Sequence, residues 1–317
     1  MGVEDMAAAE MADAIGSGPR GAIVVEPARL DERRAAAEGN TFSDAVAEGD
    51  SPQRRVVLLG ASNLARAFPT VVDVARQLWG GPLDVLAALG HGRSYGVRSG
   101  LFGRTLTGLS ECSLWEALRR RPDLPTAALL TDVGNDLLYD LAPETIAGWV
   151  ADCLDRLLDR GACAVLTRLP LANVRRLTPG RFAAIRSILY PRSRLTYAVA
   201  QQRVAELDER LVRLAGDRGV PIIELRETWY GIDPIHIRTR HYGPAFHEIL
   251  RPWGVEESAT DPQTHPPRAA IVSPRFAPGR WLRYQTLRPE RYWRWNSERR
   301  HPQPARIEPD GTTISLY

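Results

Sequence analysis

The chain contains no lysine: all 41 of its basic residues are arginine, set against 38 acidic residues in 317 positions. The resulting formal charge of +3 is small for this length, so no strong attraction to nucleic acid or to an anionic membrane is expected. Exchanging Arg for Lys on a solvated surface changes a fold little. The missing lysine therefore reads as a compositional habit and gives only weak support for phosphate binding. Cysteine is scarce as well. Cys112, Cys153 and Cys163 are an odd number without metal-ligand spacing, two of them in apolar surroundings, which fits inert thiols in a reducing cytosol. Nowhere do about 18 apolar residues run together, so no membrane span is expected. The N-terminal MGVEDMAAAEMADAIGSG lacks a basic segment, and Glu and Asp interrupt its apolar stretches, so no signal peptide and a cytoplasmic location are expected.

What is present is ordinary globular material, 44 % apolar. Residues 1–53 are rich in Ala, Gly, Glu, Asp and Arg with few aromatics and read as a largely disordered leader. The folded domain is expected over 54–250. Within it, β-branched or Leu-rich runs at 56–59, 83–87, 127–130, 162–166 and 220–223 alternate with helix candidates at 64–79, 112–120, 143–160 and 194–218. Pro143-Glu144 opens the third helix and Gly161 closes it. That alternation predicts an α/β protein: three α/β/α layers around a five-stranded parallel sheet, because each crossover must return over the sheet with right-handed sense. Residues 251–317 form a Pro-, Arg- and Trp-rich extension. Its RWLRYQTLRPERYWRW stretch could stack on sugars or bases, but aromatics interleaved with Arg more often cover a domain surface.

Sheets of this kind bind ligands beyond the carboxyl ends of their strands, so the loops there are the place to look. Gly60-Ala61-Ser62-Asn63-Leu64 follows the first strand and puts Ser62 at a helix start, among backbone N–H groups able to stabilise an oxyanion; a plain helix cap is the common alternative. Gly90-His91-Gly92-Arg93-Ser94-Tyr95-Gly96 follows the second strand and allows close backbone approach, although turns use glycine for steric reasons alone. Thr131-Asp132-Val133-Gly134-Asn135-Asp136 follows the third, with Asn135 either an amide donor or a turn residue. Asp233-Pro234-Ile235-His236 follows the fifth. Its three-residue spacing can set a carboxylate against an imidazole, leaving the other ring nitrogen to take a proton from a hydroxyl. His91, His241 and His247 lack a carboxylate at that spacing, and only His91 rivals His236 in position.

These four blocks, in this order, resemble the SGNH hydrolase superfamily, also called the GDSL family, over roughly residues 54–250. The resemblance implies a flavodoxin-like fold and a serine esterase with Ser62, Asp233 and His236 as catalytic residues. It also implies an oxyanion hole of Ser62, Gly92 and Asn135, with Gly90 a poorer match than Gly92. Ala61 replaces the acidic residue of the GDSL name, and Asn63 brings the block closer to the GxSN variant of carbohydrate O-acetylesterases. Other site types lack their motifs: there is no GxGxxG after the first strand, no GKS or GKT, no clustered His and Cys for zinc, and no GxSxG elbow around Ser62. The expected substrate is a small-molecule or carbohydrate ester, with no metal or organic cofactor, no nucleic acid and no membrane. An acyltransferase using the same groups is the alternative, and a non-catalytic carbohydrate- or protein-binding module a more distant one. Substrate choice is expected to depend on loops 92–112 and 170–194, which carry Arg93, Arg98, Arg104, Arg175, Arg176 and Arg181; near a pocket these could favour an anionic or sugar-bearing substrate, but for most of them a place on the solvated surface is the more common role.

Overall fold

A computed structural model describes residues 51–100, 104–191, 193–231, 233–254, 278–295 and 297–317. The leader expected at 1–53 therefore lies outside the described residues except for its last three. The apolar runs become strands and the amphipathic stretches helices in the order β1 Arg54–Leu59, α1 Ser62–Trp79, β2 Leu83–Ala88, β3 Arg104–Thr105, α2 Leu114–Arg120, β4 Thr126–Leu130, α3 Pro143–Leu158 and β5 Cys163–Thr167. Then come α4 Leu171–Arg175, α5 Pro179–Leu189, α6 Tyr197–Asp217, β6 Ile222–Ile223, α7 Tyr242–Leu250 and α8 Pro278–Gln285. The last strands are β7 Arg291–Arg294, β8 Ser297–Arg300, β9 Arg306–Ile307 and β10 Thr313–Leu316.

The main sheet runs β6-β5-β4-β1-β2-β10-β9, parallel throughout except that β9 is antiparallel to β10. Both sides of the central strands are apolar and each side has its own helices. Val56 and Leu58 of β1 face α1 and α7, whereas Val57 and Leu59 face α2, α3 and α6. Alternate side chains of one strand thus enter two separate cores, which makes the three layers. The expectation of five strands needs correction, because among the described residues the sheet has seven. Thr313-Ile314-Ser315-Leu316 adds a parallel strand against β2, so the end of the chain is part of the sheet. A four-residue alternating segment inside a Pro- and Arg-rich stretch gives little periodic signal, and its burial depends on β2 being there to pair with it.

Described parts of the C-terminal segment also pack on the domain. Tyr284 of α8 meets Phe68 of α1 edge to face, with ring centroids 5.6 Å apart. Pro69 inside α1 cannot donate to the Ala65 carbonyl four residues back, and Gln285 Nε2 on α8 donates there at 3.3 Å. β7 and β8 form a hairpin that pairs with β3 in a second, three-stranded sheet. Among the described residues no helix is long and apolar enough to cross a membrane.

A buried polar cluster ties the sheet's centre to its C-terminal strand. Asp84 on β2 accepts from Arg55 Nε on β1 at 2.9 Å, from Thr313 Oγ1 on β10 at 3.1 Å and from Arg121. Arg55 is 1 % exposed, so losing its partner would strand a buried charge. Asp84→Ala is expected to destabilise the fold by about 3–5 kcal/mol. Equilibrium urea unfolding measures it, and a loss under about 1 kcal/mol would show that the cluster does not matter.

Candidate active site

Strand order sets where the site lies. β2 lies on one side of β1 and β4 on the other, so the loops leaving β1 and β4 diverge and open a crevice at their carboxyl ends. Gly60, at the end of β1, lies so close to its neighbours that a Cβ there would sit 2.8 Å from Thr131 Cγ2 and 2.9 Å from Leu64 Cδ2, and those side chains would have to shift. This close approach brings the start of α1 against the loop after β4.

Ser62 is the first residue of α1 and does not cap it; the preceding Ala61 has no side chain able to do so. The cap comes from across the crevice. Asp132 Oδ2 accepts from the Ala61 N–H at 2.9 Å and from the Leu64 N–H at 3.1 Å, and its Oδ1 accepts from Asn63 Nδ2 at 2.9 Å. Asp132 itself is left-handed (φ 60°, ψ 32°), a conformation Asp tolerates better than most residues. With the helix N-terminus satisfied by Asp132, the Ser62 hydroxyl is left for another partner. That partner is His236, whose Nε2 lies 3.0 Å from Ser62 Oγ. On the far side of the ring, Nδ1 lies 2.6 Å from Asp233 Oδ2.

The 233–236 turn is held by its own backbone, since the N–H groups of Ile235 and His236 donate to Asp233 Oδ1 at 3.1 and 3.3 Å. Burial works against the Asp233 charge. The hydrogen bond and charge of His236, the Ile235 N–H and the Arg66 guanidinium outweigh it and hold this carboxyl below its usual range. Asn63, mentioned in the sequence only for its place beside the serine, anchors the turn. Its Nδ2 donates to the Ile235 carbonyl at 2.9 Å and its Oδ1 accepts the Ile237 N–H at 2.8 Å. One side chain thus joins the residues on either side of His236 to the neighbour of Ser62.

Gly92 and Asn135 come from neighbouring segments that are bonded to each other. Gly92 has φ +64°, the left-handed region that favours glycine, and its carbonyl accepts the Tyr139 hydroxyl at 2.6 Å. Asn135 Nδ2 reaches the Arg93 carbonyl at 3.5 Å. Their link to Ser62 runs through the 131–139 segment, which bonds the serine turn by Asp132 and the glycine loop by Asn135, Asp136 and Tyr139. Gly90 has a steric role instead, packed on Leu106.

Asp136 fixes the glycine loop from below. It is fully buried and accepts from Ser94 Oγ and from the Tyr95 N–H at 3.0 Å. Ser94 in turn accepts the N–H groups of Gly96 and Val97 at 3.1 and 2.9 Å. Gly92-Arg93-Ser94-Tyr95-Gly96 does spell G-x-S-x-G, but its serine is consumed by these bonds and buried. Desolvation pushes the Asp136 carboxyl up to about 6, against the hydrogen bonds of Ser94, Tyr95 and Gly96. A carboxyl raised this way contributes stability that is complete below about pH 4 and lost as the pH rises through about 6. The stability of Asp136→Asn is therefore expected to fall less between about pH 4 and about pH 7 than that of the wild type, by roughly 1–3 kcal/mol. Denaturant titrations at the two pH values measure the difference; parallel behaviour of the two proteins would contradict it.

One expectation from sequence changes. Arg93 is no substrate-facing arginine: it is buried, donating to the carbonyls of Leu89 and Thr107 at 3.3 and 3.1 Å and to the main-chain oxygen of Tyr317 at 2.5 Å. Arg176 is paired with Glu227 at 2.8 Å. His91, the rival histidine, is exposed beside Gly92, and the imidazole bonded to Ser62 is that of His236.

No family model matches the chain, and no curated protein matches it. Among solved structures, a carbohydrate acetylesterase family member from Sinorhizobium meliloti is similar at 16 % identity, covering 63 % of this chain and 96 % of its own, with a TM-score of 0.44. A lipolytic protein of the G-D-S-L family from Veillonella parvula is similar at 10 % identity, covering 62 % and 96 %, with a TM-score of 0.42. The M. smegmatis aryl esterase is similar at 17 % identity, covering 64 % and 96 %, with a TM-score of 0.40.

Proposed function

We propose that this chain is a serine esterase of the SGNH hydrolase type, cleaving a small-molecule or carbohydrate ester through an acyl-enzyme on Ser62. The observation that carries the reading is one imidazole, His236, with Ser62 Oγ 3.0 Å from one nitrogen and Asp233 Oδ2 2.6 Å from the other. Asp233 keeps Nδ1 as the protonated nitrogen, so Nε2 is the base. As the Ser62 oxygen attacks the ester carbonyl carbon, its proton moves to His236 Nε2, and Asp233 stabilises the imidazolium that forms. The carbonyl oxygen becomes an oxyanion, received by the Ser62 N–H, the Gly92 N–H and the Asn135 amide. His236 returns the proton to the departing alcohol oxygen. Water then adds to the acyl carbon with His236 as base, and collapse frees the carboxylic acid and restores the serine. Every proton in this cycle passes through one side chain.

The reading is tested by offering purified protein a short-chain aryl ester in water, with and without an added sugar or alcohol. Release of free acid with little acyl transfer is expected. Dominance of transferred product would make the protein an acyltransferase on the same groups, and no turnover of any activated ester would reject the serine mechanism.

The Asn63 bridge gives the same account a quantitative consequence. Asn63→Ala frees the two backbone groups that flank His236 and lets the imidazole drift, so kcat is expected to fall about 10²-fold. KM should change little, because Asn63 bonds the His236 turn and Asp132. Steady-state kinetics separate the two; a rise in KM at constant kcat would assign Asn63 to substrate binding instead.

A further inference from the structure

Two arginines, Arg104 and Arg66, act on the groups around the crevice at Ser62. The N–H groups and carbonyls of Ser99 and Leu106 exchange bonds at 3.0 and 2.8 Å, so the chain doubles back between them and carries β3 to the glycine loop. Leu106 packs directly on Gly90, where a Cβ would come within 2.5 Å of Leu106 Cδ1. Alternate residues of an extended chain share a face, so Arg104 projects on the same side as Leu106, along the Gly90–Gly92 loop. Its guanidinium carbon lies over Tyr292, 4.7 Å from the ring centroid. Its Nε is buried and has no hydrogen-bond partner. Directly across β3 and β7 stands another cation, Arg294. Burial first, and then the charge of Arg288, push the Arg104 guanidinium down from its usual value.

Arg66 approaches from the other side. It follows Ser62 by four residues on α1 and so shares its face, and its charge acts on both Asp233 and His91. His91, next to Gly92, is within electrostatic reach of both arginines. The charges of Arg66, His236 and Arg104 all act on it. A partly buried guanidinium with an unsatisfied Nε is costly unless something anionic completes it. Its fork suits a carboxylate or a phosphate.

We propose that the ester taken at Ser62 bears a negatively charged group that docks on Arg104, with His91 and Arg66 beside it. The inference rests on the esterase reading above and names the substrate class for that same site. Charge complementarity at the mouth of a crevice raises encounter as well as binding, so the preference belongs mainly in kcat/KM and weakens with salt.

The test uses the full chain and two matched pairs of aryl esters, one pair differing by a carboxylate at the end of the acyl chain, the other by a carboxylate on the alcohol. Each rate is normalised to that ester's own alkaline hydrolysis. In at least one pair the charged member is expected to be favoured about tenfold or more, with the preference shrinking severalfold between about 20 mM and about 500 mM salt. Arg104→Gln should cost the charged ester several times more than its neutral mate. The salt series needs no variant, so it decides even if Arg104→Gln folds poorly. Parity within both pairs, or a preference indifferent to salt, would overturn this inference and leave the esterase reading standing. Failure to turn over any of the four esters would overturn both.

Discussion

Ser62→Ala is expected to lower kcat on an activated aryl ester by about 10⁴- to 10⁶-fold while leaving the unfolding transition where it is. The size of the loss follows from the role. Without Oγ there is no acyl-enzyme, and only direct attack by water aided by the amide donors remains. The intact fold follows from the hydrogen bonds around the serine. The N-terminus of α1 is capped by Asp132 rather than by Ser62, and the Ser62 hydroxyl bonds His236 on a loop, so removing it disturbs no core contact. Circular dichroism melts and stopped-flow kinetics on the same preparation separate the two effects. Turnover within tenfold of wild type would remove Ser62 from the mechanism.

Asp233→Asn comes next, with an expected loss of about 10³- to 10⁴-fold in kcat. Asparagine fits the same space, but its amide N–H₂ can face Nδ1 and leave that nitrogen as the acceptor, turning the protonated nitrogen toward Ser62. It also removes the negative charge that stabilises the imidazolium. Asp233 is held ionised below its usual range, mainly by His236 acting against burial, so the wild type keeps this charge over the whole neutral range. The loss should persist when pH is raised, since base cannot restore a missing carboxylate. Recovery toward wild-type rates above neutrality would show that Asp233 serves only to position the ring.

Much of this was legible in the chain because the information was local. Runs such as Val56-Val57-Leu58-Leu59 mark strands buried on both faces, and the strand-end loops follow from them. Asp233 and His236 sit on one turn, so their spacing alone puts the carboxylate within reach of the ring. What stayed hidden depends on contacts far apart in sequence. Asp132 read as one residue of a turn, but its work is to cap a helix 70 residues earlier, and Asn63 bonds backbone groups more than 170 residues later. Arg93 read as one more exposed arginine, although its partners include the last residue of the sequence. β3 is two residues long, too short for any periodicity, and β10 is a strand only because β2 offers an edge.

The claim that Ser62 is an activated nucleophile can be read without knowing any substrate, by mass spectrometry of the protein after exposure to a fluorophosphonate. The account predicts a single adduct on the peptide containing Ser62, formed quickly by the wild type and lost in His236→Ala. A wild type that stays unlabelled, or one labelled as fast without the His236 imidazole, would contradict it.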